Sequence, residues 1–183
     1  MTNSTVSALI WARLLLNFVL FNTVQHCEFP SIIHTGLITA TRALGVAYRQ
    51  EQSIRASFAI LAQFGEKLPS DMGDDNLSHE VDQMNNILRS TSDDMICNMQ
   101  ESNDKKMVIL ISLYETLAHV LQYFKPWLAR AVSLRMIELT MKTGLSAKSP
   151  LVFAHFGGVL VTSGQITDGC RLGEFCVEYS FRK

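Results

Sequence analysis

Apolar residues recur at three- and four-residue intervals through nearly every segment of this chain, and that rhythm restricts the fold to helices. The clearest example is Met107, Leu110, Ile111, Tyr114, Leu117, Ala118 and Leu121, a continuous stripe along one long helix. A half-buried strand would alternate apolar and polar residues with period two, and almost no such pattern occurs. The expectation is an all-α protein of about seven helices with no sheet. With 183 residues, 48% of them hydrophobic, the chain suits one domain or a short run of repeats, large enough to bury a core without disulfides or metals. Four prolines and ten glycines are too few for collagen-like or linker-dominated readings.

Helical punctuation sets the expected boundaries. A first helix is predicted over about 6–26 and a second over about 31–48, where Ile33, Leu37, Ala40 and Leu44 keep one face. A third covers about 51–64, with Ile54, Phe58 and Leu61 on one face and Gly65 as the left-handed residue that ends it. Pro69 and Gly73 mark 67–76 as a loop. Asn76 or Ser78 can cap a helix to Arg89 with an apolar stripe of Val81, Met84, Ile87 and Leu88. One helical turn is expected near 94, and Ser102 or Asn103 then starts the long helix to Phe124. Pro126 fits the first position of a helix that stops at Gly144, and Ser149-Pro150 opens another that Gly164 ends. Thr167 or Asp168 would cap the last helix. The organisation follows: 1–65 as N-terminal helices, 66–104 as an acidic loop and connecting helix, and 105–183 as two antiparallel helix pairs.

Charge is unevenly spread. Residues 66–104 hold ten acids against two bases, whereas 105–183 hold ten bases against five acids. The expectation is that the acidic segment pairs with the basic C-terminal part rather than forming a docking surface. Bases are scattered singly, with no run or aromatic-interleaved patch to follow a phosphate backbone, so no nucleic-acid partner is expected.

Cys27, Cys97, Cys170 and Cys176 form no C-x-x-C pair and lack zinc-site histidine spacing, so they read as reduced core residues. The sequons at Asn3 and Asn76 find no other sign of secretion. The most apolar run, residues 8–21, is shorter than the roughly 20 residues needed to span a bilayer and contains Arg13. It lacks a positive region before it and a clean cleavage site after it. No membrane association is expected, and the location inferred is cytoplasmic.

Catalytic chemistry is hard to find. No phosphate-binding G-x-x-x-x-G-K-[ST] occurs; Met141-Lys142-Thr143-Gly144 has those residue types in the wrong order, and Gly157-Gly158 falls within a helix. Glu115 and His119 are four apart on the long helix and could pair, but they lack a third member for a metal or acid–base site. His26 and Cys27 are adjacent and point about 100° apart on a helix. His155 reads as a packed or rim histidine, and Asp71-Met72-Gly73-Asp74-Asp75 lacks the alternation and terminal Glu of a calcium loop. The expected sets of catalytic, cofactor-binding and metal-binding residues are therefore empty.

Two successive helix pairs of about 35 to 40 residues are the mark of an α-solenoid. With Gly157 as the small residue of a tetratricopeptide (TPR) first helix, Phe153 and Leu160 take the large packing positions, and Gly169 and Cys176 follow twelve and nineteen residues later. Gly157, Gly169, Gly173 and Cys176 are the small positions where helices are expected to touch. The earlier pair matches less well, so the expected architecture is a TPR-like α-solenoid.

The stretch RMIELTMKTGLSAKSPLVFAHFGGVLVTSGQITDGCRLGEFCVEY, residues 135–179, resembles the helical region of large multi-domain signalling kinases. The match includes Arg135-Met136, Leu139, Gly144, Ser149, Ala154, Gly157, Gly169, Leu172 and Gly173. Phe64-Gly65-x-x-Leu68-Pro69 and the helix around Leu77–Leu88 resemble the same family's preceding segment, so the resemblance covers 58–183. Such proteins join a serine/threonine kinase-like domain, an AAA-type predicted ATPase, a TPR-like region, a GAF sensor and often a histidine kinase. The resemblance implies a non-catalytic scaffold or interaction module whose partners are proteins or peptides, including neighbouring kinase or ATPase domains. None of the kinase or ATPase motifs is in this chain, so no catalytic residue is implied and no cofactor is expected. The alternatives are a free-standing helical adaptor and a small helical metal enzyme built on Glu115 and His119. The last helix carries Leu172, Phe175, Val177, Tyr179 and Phe181 around much of its circumference, so an exposed apolar patch and self-association through it are expected.

Overall fold

The apolar stripes close into helices wherever a cap or a stop residue is available to satisfy the chain ends. The computed structural model describes residues 50–66, 74–102 and 104–182. The helices expected over 6–26 and 31–48, together with Asn3, His26, Cys27 and the 8–21 run, lie outside them. Seven helices follow in order: α1 (Gln50–Gln63), α2 (Asp74–Ser90), α3 (Asp93–Cys97), α4 (Lys105–Phe124), α5 (Pro126–Thr143), α6 (Ser149–Thr162) and α7 (Ile166–Arg182). Among the described residues there is no strand, only a single parallel bridge between Glu101 and Leu145. The protein is all-α over this region.

Three helix starts differ from expectation. α2 begins at Asp74 rather than after a cap at Asn76 or Ser78. α4 is capped by Asp104, whose carboxylate accepts from the Lys106 N–H at 2.8 Å. Ser102 lies three residues before the helix: its side chain accepts from the Asp104 N–H at 3.4 Å, and its own N–H donates to the Leu145 carbonyl at 2.6 Å. α7 starts at Ile166, ahead of Thr167 and Asp168, and the Gly169 N–H bonds back to the Gln165 carbonyl. Asp168 is thereby free to reach another helix.

Packing follows chain order. α4 lies between α1 and α5, α6 packs on α5, and α7 packs most extensively on α6, while α2 lies on α5. Two-sided burial explains why α4, at mean hydropathy 1.4 over 20 residues, is long and apolar enough to cross a membrane by length and composition. Nine of its residues, including Tyr114 and Leu121, are buried against α1 and α5 neighbours, the behaviour of a central core helix.

The acidic segment does meet the basic one. Glu66, just past Gly65, is paired with Arg135 of α5 at 2.9 Å, and Asp93 pairs with Arg171 of α7. The Tyr114 hydroxyl, wholly buried, donates to the same Glu66 carboxylate at 2.7 Å, and Arg135 also holds Glu138 at 3.1 Å. Burial works to raise the Glu66 carboxyl, but hydrogen bonds from Arg135 and Tyr114 and the charges of Arg135 and Lys106 hold it below its ordinary 4.5. A depressed native value means that this pair's share of stability is fully present above pH 4.5 and is lost below it, as pH falls through the lower native value. Glu66→Gln is expected to cost about 1–2 kcal/mol at pH 7 in urea denaturation. The gap between the variant and the unsubstituted protein should close toward pH 3; a gap independent of pH would mean that the carboxylate charge is not its source.

The expected exposure of Phe175 is corrected. Leu172, Phe175, Cys176 and Tyr179 are spaced as one stripe and are all buried, while Val177 is 58% exposed and the Phe181 side chain lies outside the described residues. Phe175 meets Phe153 of α6 edge to face at a centroid distance of 4.9 Å. Phe175 therefore forms no exposed patch. Phe175→Ser is expected to destabilise by about 3–5 kcal/mol, because it removes a buried ring and leaves a hydroxyl in its place. A denaturation midpoint unchanged in Phe175→Ser would contradict this packing.

Candidate interaction groove on α5 and α7

Four of the five apolar residues of α2, Leu77, Val81, Met84 and Leu88, recur at i, i+4, i+7 and i+11 and are at most 9% exposed, whereas Ile87, expected on the same stripe, is 49% exposed. That stripe faces α5. Along its flank, polar side chains link it to α7 and to the turn before it. Asn85, only 3% exposed, donates its amide to the Gln165 side-chain oxygen and, at 2.9 Å, to Asp168. Arg89 donates Nε to both Asp168 oxygens at 3.0 Å, and Gln165 donates its amide to Asp82. The hydrogen bond and charge of Arg89 and the bond from Asn85 hold the Asp168 carboxyl below the usual carboxylate range, and Asp168 in turn raises Arg89.

Both ends of α2 are met by arginines of the groove. Near the start, Arg130 of α5 reaches Ser78 at 3.4 Å and Ser163 of the α6–α7 turn at 3.3 Å. At the end, Arg171 of α7 donates to the carbonyls of Leu88 at 2.9 Å and Thr91 at 3.2 Å, and the Leu88 carbonyl also accepts from the Thr91 N–H. Its Nε also reaches Asp93 at 3.2 Å, at the start of α3. The residues around α2 thus supply a carboxylate for a cation, an amide, and an arginine on carbonyls near the helix end.

The small positions separate into two kinds. Gly157 and Gly169 face each other where α6 crosses α7: a Cβ on Gly157 would lie 3.0 Å from the Gly169 carbonyl oxygen, and one on Gly169 2.6 Å from that of Gly157. Gly173 differs, since a Cβ there meets no atom within 4 Å. Its smallness serves no helix contact. Cys176 is buried with its thiol donating to the Pro150 carbonyl at 2.9 Å, and burial pushes it up to about 11.

Other groups considered from sequence are placed as follows where they fall among the described residues. Glu115 pairs with Lys148 at 3.0 Å, while His119 on the same helix is exposed. His155 is held below its ordinary value first by burial and then by the nearby His119, against the pull of Glu115. Among the described residues no group of three or more His, Cys, Asp or Glu side chains is arranged to hold a metal. Cys97, Cys170 and Cys176 are in no disulfide; Cys176 is buried and Cys97 half-buried, but Cys170 is exposed rather than a core residue. Asn76 is exposed near the start of α2, and Gly144 closes a loop contact described below.

Periodicity could not have revealed the contacts of Asn85, Arg89, Asp168 and Arg171, because they join positions about 80 residues apart. The one signal was Asn85 itself, an amide beside Met84 and Leu88 on the apolar face of α2. No family model, curated protein or solved structure matches this chain.

Proposed function

We propose that this chain is a non-catalytic, TPR-like interaction module that binds proteins or peptides by taking a helix into the groove on α5 and α7. The observation that carries this reading is the seating of α2, whose apolar stripe and polar flank are both matched by the groove. The antiparallel pairs α4/α5 and α6/α7, packed in chain order, support a solenoid. A setting beside kinase or ATPase domains in the cytoplasm rests on the resemblance of residues 135–179.

A photoreactive residue introduced at Ile166, 60% exposed on the groove rim, tests the reading in the native cell. A discrete adduct from Ile166, absent when the label stands at exposed Lys142, is the expected result. Adducts of equal yield at both positions, or none at either, would overturn it. So would stoichiometric metal in the purified protein that is lost on His119→Ala.

A further inference from the structure

We infer that Glu115 and His119 of α4, with Lys148 at the start of α6 and His155 within it, form one proton-sensitive brace that ties α4 to α6 while the imidazoles are neutral and releases α6 when they are charged. This does not rest on the interaction-module reading.

Three observations place the four groups in one ladder. First, the Lys148 ammonium donates to the Glu115 carboxylate at 3.0 Å, and the Glu115 side chain is only 20% exposed. Second, α5 doubles back on α4 through Lys125 alone and α6 doubles back on α5 within residues 144–148, so α4 and α6 run parallel. His119 stands four residues past Glu115 and His155 seven past Lys148, which keeps each imidazole on the face of its ion-pair neighbour, about 6 Å and about 10 Å further along. Third, His155 is half-buried in a helix that carries no Asp, Glu, Lys or Arg, and charges from α4 act on it: Glu115 favours its protonated form and His119 opposes it.

Charged groups on the other helices packed against α6 go elsewhere. On α5, Arg130 reaches Ser78 and Ser163, Arg135 holds Glu66 and Glu138, and Lys142 is exposed. On α7, Asp168 and Arg171 turn to α2 and α3, and Glu174 and Glu178 are exposed. With neutral imidazoles, one ammonium therefore faces one carboxylate. Each proton taken up adds a charge like that of Lys148, and burial of His155 withholds the water that would solvate it. Because α6 packs chiefly on α5 and α7, parting the ladder leaves those contacts in place. Burial, with His119, holds the His155 imidazole below its ordinary 6.5 against the pull of Glu115. The stability it contributes is fully present above pH 6.5 and is lost as pH falls through the lower native value.

Urea denaturation of the full chain from about pH 7.5 to about pH 5 tests the brace. Across that range the unfolding constant should rise about fivefold more in the unsubstituted chain than in His155→Gln. His119→Gln removes the like charge and should make the rise smaller; Glu115→Gln removes the opposite charge and should make it larger. Equal rises in the unsubstituted chain and His155→Gln, or changes of the same sign in the two α4 variants, would overturn the inference. Hydrogen exchange on the unsubstituted chain, corrected for its intrinsic pH dependence, is independent of variant folding. Amides of 152–160 in α6 should lose about tenfold more protection on acidification than those of 131–139 in α5. Equal losses would mean that the response is global, and α6 would have no separate release.

Discussion

Gly144→Ala is expected to be among the most damaging single-methyl changes in the described region, costing about 3 kcal/mol or more. Two causes combine. Gly144 has φ 100° and ψ 176°, a backbone region that residues with a Cβ essentially never occupy. Its missing Cβ also leaves room for the Gln100 carbonyl oxygen, which an alanine methyl would overlap. That close approach exists because the segment before α4 is strapped to the segment after α5. The Leu145 N–H donates to the Gln100 carbonyl at 2.9 Å and the Ser102 N–H donates to the Leu145 carbonyl. Gly164 is the control, since it also has positive φ, 85°, but a Cβ there meets nothing within 4 Å. Gly164→Ala should cost only about 1 kcal/mol, through backbone strain alone. Urea denaturation followed by helical circular dichroism measures both, and equal costs would mean that the strap is loose.

The crossing of α6 and α7 sets the second large effect. Gly169→Ala should cost about 2–3 kcal/mol, because its methyl would lie 2.5 Å from the Val161 Cγ2 and 2.6 Å from the Gly157 carbonyl oxygen. Val161 is a partly exposed side chain and can turn away; the carbonyl belongs to a helix backbone and cannot. Gly157→Ala should cost less, about 1–2 kcal/mol, since its nearest contact is at 3.0 Å. Gly157→Leu sends further atoms into the same crossing and should cost about 1–3 kcal/mol. Gly173→Ala should instead stabilise by about 0.5–1 kcal/mol, as an unobstructed mid-helix glycine replaced by a better helix former. The order of the three alanine variants is the readout: any other ranking of their denaturation midpoints contradicts the crossing.

Helix identity was legible because it is a local property. The three- and four-residue rhythm of α4, the proline at the start of α5, Ser149-Pro150 before α6, and the stops at Gly65 and Gly164 are each written within one or two turns of chain. Small residues at 157 and 169 were legible too, since close helix contact tolerates little else. Gly173 is the same residue type four positions past Gly169 on the same helix, yet a Cβ there would meet nothing within 4 Å. Residue type alone cannot distinguish a glycine at a crossing from one beside it.

Helical content, segment order and the pairing of an acidic middle with a basic C-terminal part were determined by the sequence, because periodicity, stop residues and net charge act over short distances or as sums. Tertiary structure decided which atoms meet. Asp168 had the place and chemistry of a helix cap, but α7 starts ahead of it and its carboxylate goes to Arg89 and Asn85 of α2. Ser102 was a plausible cap, but the helix starts further on and Asp104 takes that place. Phe175 looked surplus to one stripe until the angle between α6 and α7 placed it against Phe153. Each outcome depends on helix orientation, which is set by packing many side chains at once, so no local pattern along the chain encodes it.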